Sequence, residues 1–117
     1  MDQVCYVLPI RPGKTEAARE LVRTIREDRL EEYERSQRRH GIMKEVWFLA
    51  TGPGGDQFVV YLEAADFAAT LAAYTASDDP FDAWFNGRLQ ELTGFAAGDA
   101  EVQAEAPLPE RLLIFEA

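Results

Sequence analysis

Two neighbouring segments of this chain are apolar on both of their alternating faces, and this pattern constrains the fold more than any other feature. In residues 43–51, Val46 and Phe48 lie on one face of the predicted strand and Trp47 lies on the other. Residues 57–63 show the same pattern, with apolar side chains on both faces. The stretch between them is rich in Gly and Pro, which is typical of a hairpin loop. We therefore expect an antiparallel hairpin in a sheet whose two faces must both be covered.

Strand and helix patterns alternate along the rest of the chain. The further elements predicted from periodicity are two strands, 3–9 and 111–116, and helical segments at 14–40, 66–76 and about 80–93. Residues 14–40 fit either one long helix or two helices that meet near Leu30. Asp79 is a natural N-cap for the last helix, Pro80 suits its first position, and Asp82 suits its first turn.

The resulting order, β-α-β-β-α-β, is the ferredoxin-like pattern. It predicts a single α+β domain over residues 1–117, with an antiparallel four-stranded sheet that has helices on one face. Residues 95–110 are expected to form a loop or arm that leads to the last strand. The second apolar face is most simply buried against a copy of itself, so we expect a homodimer.

Composition excludes several classes of partner and site. Residues 1–44 hold ten Lys or Arg against eight Asp or Glu, and residues 45–117 hold two against thirteen, so the net charge of −9 disfavours nucleic acid. No apolar stretch is long enough to span a membrane. Cys5 is the single cysteine, and together with the lack of a visible secretory signal it favours the cytoplasm. The sequence gives no reason to expect a metal or a cofactor.

Three stretches resemble the dimeric α+β barrel superfamily. In residues 5–16 a strand runs through Pro-Gly into a charged helix, in residues 58–67 a strand leads into a helix, and residues 77–85 are rich in aromatic side chains. The superfamily includes antibiotic-biosynthesis-type monooxygenases, haem-degrading enzymes, rhamnose-mutarotase-like proteins and many uncharacterised families, among which the nearest relatives are expected. The resemblance implies a homodimer and a small-molecule enzyme of the cofactor-independent oxygenase or isomerase type. The chain departs from mutarotase-like members, which place a His early in the first helical region, because its single His ends that region.

The candidate functional residues are one histidine and a set of pocket residues. His40 is a possible catalytic acid or base, and the alternative is a solvated residue at the basic end of a helix. The residues expected to bind a ligand, in a pocket between sheet and helices, are Tyr6, Trp47, Tyr61, Trp84 and Arg88. The alternative for the aromatic residues is ordinary core or dimer interface, and for Arg88 it is a side chain that extends to water.

Two classes of function therefore remain open from the sequence. The first is a small-molecule enzyme, and the second is a non-catalytic ligand-binding or accessory dimer. A buried polar cavity that contains Arg88 or His40 would favour the enzyme. A filled apolar core would favour the accessory dimer.

Overall fold

The computed structural model describes residues 1–95 and 108–117. In these residues, the segments of alternating apolar side chains form three strands, and the segments with helical spacing form four helices. The elements are β1 (Asp2–Pro9), α1 (Thr15–Asp28), α2 (Leu30–Arg39), β2 (Ile42–Ala50), β3 (Gln57–Ala64), α3 (Phe67–Thr75) and α4 (Pro80–Thr93). The predicted α+β class is confirmed, as is the alternative in which residues 14–40 form two helices. In the described part of the chain, no helix is both long enough and apolar enough to cross a membrane.

The break between α1 and α2 lies at Arg29, where the apolar stripe of the helix is interrupted. Its backbone leaves the helical region, with φ −130° and ψ 25°. Its guanidinium lies over the ring of Trp84, 4.2 Å from the centroid, and pairs with Glu32 at 2.7 Å. The charged side chain at the break therefore contributes a cation–π contact and an ion pair to the packing of the helices.

The three strands form an antiparallel sheet in the order β1-β3-β2, and the helices cover one side of it, the inner face. Val60 lies at the centre of this face, between Tyr6 and Trp47 of the neighbouring strands, and it is fully buried. The Trp47 ring meets Phe58 edge-on at 5.0 Å and Phe85 of α4 at 5.9 Å. The hydrophobic core is therefore sandwiched between the inner face and the helices.

The opposite side of the sheet, the outer face, is also apolar at its centre. Val7, Val59 and Phe48 lie side by side across the three strands. Val7 is 42% exposed and Phe48 is 58% exposed. The prediction of strands that are apolar on both faces is confirmed, and the described residues of this chain leave the outer face open to water.

The fourth strand predicted at residues 111–116 is not formed in the structure. Residues 108–117, the C-terminal segment, have no regular secondary structure and are exposed throughout. A strand requires a hydrogen-bonded neighbour, and this segment pairs with neither edge strand of the three-stranded sheet. Most of the loop or arm predicted at residues 95–110 lies outside the described residues.

Candidate functional site

The ends of α2, α3 and α4 meet at the carboxylate of Asp82. Its Oδ2 accepts hydrogen bonds from Nε2 of His40 at 2.8 Å, from the hydroxyl of Ser77 at 2.5 Å and from the guanidinium of Arg39 at 3.1 Å. Its Oδ1 accepts a hydrogen bond from the hydroxyl of Ser36. Asp82, His40 and Ser36 are buried, so this cluster is a polar site inside the helical layer.

Local sequence signals position Asp82 and His40 within this cluster. The Asp79 carboxylate caps α4 and Pro80 begins it, as predicted, which places Asp82 in the first turn. His40 is the C-cap residue of α2, and the next residue, Gly41, has a φ of +73° that allows the chain to turn into β2. The exposed fraction of His40 is 4%, so the alternative of a solvated helix-end residue is wrong.

The charge state of Asp82 determines which proton His40 carries. Burial raises the pKa of the Asp82 carboxyl, but the four hydrogen bonds that it accepts outweigh burial and lower the pKa from 3.8 to about 2. An ionised carboxylate has no proton to donate, so Nε2 of His40 must be the donor. In the neutral imidazole, Nδ1 is then an acceptor. Within residues 1–95 and 108–117, Nδ1 of His40 is the one buried side-chain nitrogen or oxygen that has no hydrogen-bond partner.

A pocket of about 440 Å³ adjoins His40, and its volume is within the range of small-molecule sites. The residues that line it are Arg39, His40, Ala73, Ser77, Asp78, Asp79 and Pro80. It therefore lies between the end of α2, α3 and the start of α4. This position differs from the predicted one, because aromatic packing fills the space between sheet and helices where the pocket was expected.

Three of the residues predicted to bind a ligand lie on the sheet, away from the lining of this pocket. Tyr6 and Trp47 are on the inner face and pack against the core. Tyr61 is on the outer face, where its hydroxyl donates to Glu63 at 2.6 Å. The alternation of the strand places these side chains on opposite sides of the sheet, so the three do not form one site.

The other two predicted ligand-binding residues lie on α4. The Trp84 ring is 5.7 Å from that of Phe81 and lies under the guanidinium of Arg29. The Arg88 guanidinium pairs with Glu91 at 2.9 Å. His40 is thus the one predicted site residue among those that line the pocket.

A second polar group lies on the inner face of the sheet, at Glu45. Its Oε1 accepts hydrogen bonds from the hydroxyl of Tyr33 at 2.6 Å and from Nε1 of Trp47 at 2.8 Å. Burial raises the pKa of Glu45, and hydrogen bonds from these two residues and Gln37 offset only part of the effect. Burial also raises the pKa of the Tyr6 phenol, as does the charge of Glu45. The inner face therefore holds a carboxyl that keeps its proton to a higher pH than usual.

A comparison with known families matches residues 1–106, which include all three strands, all four helices and the whole Asp82 cluster. The chain belongs to a family of unknown function, DUF6176. A search of curated proteins and a search of solved structures found no significant match. The DUF6176 match ends before the C-terminal segment.

Asp82 and Ser36 are functional candidates that the sequence prediction misses. Capping and the helix dipole already account for an aspartate at position 82. Its spacing is nevertheless informative, because Asp82 stands three residues before Phe85 and seven before Leu89, on the apolar stripe of α4. His40 likewise stands seven residues after Tyr33. A polar residue that occupies the next position of an apolar stripe is expected to be buried, and this signal could have identified both Asp82 and His40 as buried.

We expect Glu45→Gln to weaken the pH dependence of stability. The folded state raises the pKa of Glu45, so the wild type loses stability as the pH rises from the ordinary value of 4.5 through the folded pKa. The variant has no such loss, and its Oε1 can accept the same two hydrogen bonds. Urea denaturation from mildly acidic to neutral pH measures the effect. Glu63→Gln on the outer face is the matched control, and parallel curves for wild type and Glu45→Gln would contradict the prediction.

Proposed function

We propose that this protein is a small-molecule enzyme in which His40 is the general acid and base. One observation carries the proposal. Nε2 of His40 donates to the ionised carboxylate of Asp82, while Nδ1, the other ring nitrogen, has no partner in a residue that lines a pocket. The second ring nitrogen is thus the group left to exchange a proton with a substrate.

The surroundings of His40 support acid–base chemistry. A carboxylate on one imidazole nitrogen fixes the tautomer and the ring orientation, and it stabilises the imidazolium that forms when the other nitrogen takes a proton. The main chain of His40 is held in place as well, since the Thr70 hydroxyl donates to the His40 carbonyl at 2.7 Å. A base that accepts a proton and returns it to another atom of the same substrate performs an isomerisation. Between the two chemistries that the resemblance implies, we therefore propose an isomerase rather than an oxygenase.

The charges around the pocket support a neutral or positively charged substrate. Asp78 and Asp79 line the pocket, and Asp82 lies directly behind His40. The Arg39 guanidinium is 3.3 Å from Asp79 and 3.1 Å from Asp82, so its charge is already balanced. A carboxylate or phosphate would meet a net negative site. We propose a small polar substrate with a hydroxyl or amine group that can donate a hydrogen bond to Nδ1 of His40.

The test uses the fact that the chain has one histidine, so its spectrum contains a single imidazole Hε1 resonance, the His40 signal. We expect neutral or cationic hydroxylated and amine compounds, screened by nuclear magnetic resonance, to shift the His40 signal more than acetate or phosphate does. His40→Gln keeps a donor to Asp82 but lacks Nδ1, so turnover of any substrate found should fall by about 10²- to 10⁴-fold, with binding retained. Glu63→Gln on the outer face, which is not among the residues that line the pocket, is the control. Equal turnover by wild type and His40→Gln would overturn the proposal.

The second candidate function is a non-catalytic ligand-binding or accessory dimer. The observation that favours it is the burial of Nδ1, since an atom closed to water is also closed to a substrate unless the pocket opens. In that case a compound would bind in the pocket beside Arg39 and shift the His40 signal, but neither the wild type nor His40→Gln would convert it. The turnover measurement therefore separates the two functions.

We also propose the finer features of the fold and its assembly. A ferredoxin-like sheet of four strands, in a homodimer of the α+β barrel type, would cover the outer face at Val7 and Phe48. The free Cys5 thiol on the same face is compatible with the reducing cytoplasm. Native mass spectrometry tests the assembly, and a monomer at micromolar concentration would exclude it.

A further inference from the structure

Four consecutive apolar side chains of the C-terminal segment are open to water. Leu112, Leu113 and Phe115 are 85%, 89% and 87% exposed, and Ile114 is 46% exposed. Successive side chains of a strand point to opposite faces, so this run would make a strand that is apolar on both sides. Proteins in water rarely leave such a patch uncovered. The segment therefore requires a surface to pair with.

The position of Arg111 explains why the chain's own sheet does not supply that surface. Its Nη1 donates to Oε1 of Gln3 at 2.8 Å, and Gln3 is the second residue of β1. A segment antiparallel to β1 would run from the Pro9 end towards the Asp2 end, so residues after Arg111 would pass beyond the sheet. A segment parallel to β1 would be covered along its edge, whereas residues 112–115 are exposed.

The sheet itself presents the complementary surface. In the described residues, β1 and β2 each have one edge without a neighbouring strand. A strand added at such an edge has one face over the helical layer and the other on the outer face, beside Val7 or Phe48. Both of its faces must then be apolar if the outer face is covered in a dimer, and residues 112–115 meet this requirement.

We propose that residues 111–116 of each copy form the fourth strand at an edge of the sheet of a second copy. The occupant is a second copy because each chain presents both the unpaired segment and the free edge, and two such reciprocal surfaces close as a two-fold dimer. The inference rests on the proposed homodimer and adds to it the exchange of the last strand.

The experiment compares the full chain with a variant that ends at Glu110. We expect the dimer dissociation constant, measured by sedimentation, to rise at least about 100-fold in the shortened chain, because four apolar side chains lose their contacts. Phe115→Asp should weaken the dimer in the same direction, and Glu116→Gln in the same segment is the matched control. The His40 resonance checks that each variant is folded. In the full chain, the amides of residues 112–115 should be protected from hydrogen exchange in the dimer and lose protection on dilution.

The outcomes separate the exchange from the dimer. A full chain that is monomeric at micromolar concentration overturns both. A shortened chain that dimerises as tightly as the full chain overturns the exchange and leaves the dimer in place. Protection of residues 112–115 that persists in the diluted monomer also overturns the exchange, because the segment then pairs within its own chain. Weakened dimerisation together with protection that depends on concentration supports the proposal.

Discussion

Asp82→Asn is expected to lower the free energy of unfolding by about 3–5 kcal/mol. The amide has one acceptor oxygen where the carboxylate has two, so it cannot accept both from Ser36 at Oδ1 and from the three donors at Oδ2. The change also leaves the half-buried guanidinium of Arg39 without one of its two carboxylate partners. Urea denaturation followed by circular dichroism measures the loss. Asp78→Asn, an exposed neighbour, should change stability by less than about 0.5 kcal/mol.

The free energy of unfolding of the same variant should also depend on pH in a way that a purely steric defect would not produce. The pKa of Asp82 is lower in the folded state, about 2, than its ordinary value of 3.8. Asp82 therefore contributes about 2 kcal/mol of stability above pH 3.8, and the contribution is lost as the pH falls towards 2. Asp82→Asn should not show this part of the acid destabilisation. If its stability falls with pH as steeply as that of the wild type, the carboxylate is not ionised in the folded protein.

Trp84→Ala is expected to lower the free energy of unfolding by about 3 kcal/mol. The indole packs against Phe81 and supports the guanidinium of Arg29 at 4.2 Å, so truncation removes apolar contacts and a cation–π contact together. Because Trp84 is not among the residues that line the His40 pocket, the His40 resonance should stay in place. Thermal unfolding and the nuclear magnetic resonance spectrum measure the two effects.

Trp84→Phe separates packing from ligand binding. The smaller ring retains an aromatic face for Arg29 and should restore much of the stability that alanine loses. The opposite result, in which Trp84→Ala is as stable as the wild type but no longer binds a ligand, would place Trp84 in a binding site, as the sequence pattern suggested.

The parts of the fold that local rules determine could be predicted from the sequence. The hairpin follows from two alternating segments around a Gly- and Pro-rich loop. The limits of α4 follow from Asp79 and Pro80 at its start and from Gly94 at its end, where the φ of +81° suits glycine. His40 was identifiable as a candidate because it is the single histidine, although its burial was not expected.

The remaining features depend on contacts between distant parts of the chain. Ser36 and His40 meet Asp82 across 46 and 42 residues of sequence, and helix capping already gives an aspartate at that position a local explanation. Glu45 shares the inner face with Trp47, yet alternation alone does not say which face the helices cover. Residues 111–116 have the pattern of a strand, but a strand pattern does not identify its hydrogen-bonded neighbour.

The convergence of three helix ends on one carboxylate has a consequence for how this protein can change during evolution. Ser36, His40 and Ser77 share Asp82 as their acceptor, so loss of one donor changes how much the remaining hydrogen bonds contribute to the free energy of unfolding. Substitutions at these positions should be non-additive in double-mutant cycles. Among related chains, the four positions are therefore expected to be retained or replaced as a set, and a single replacement should be tolerated only where a compensating one has already occurred.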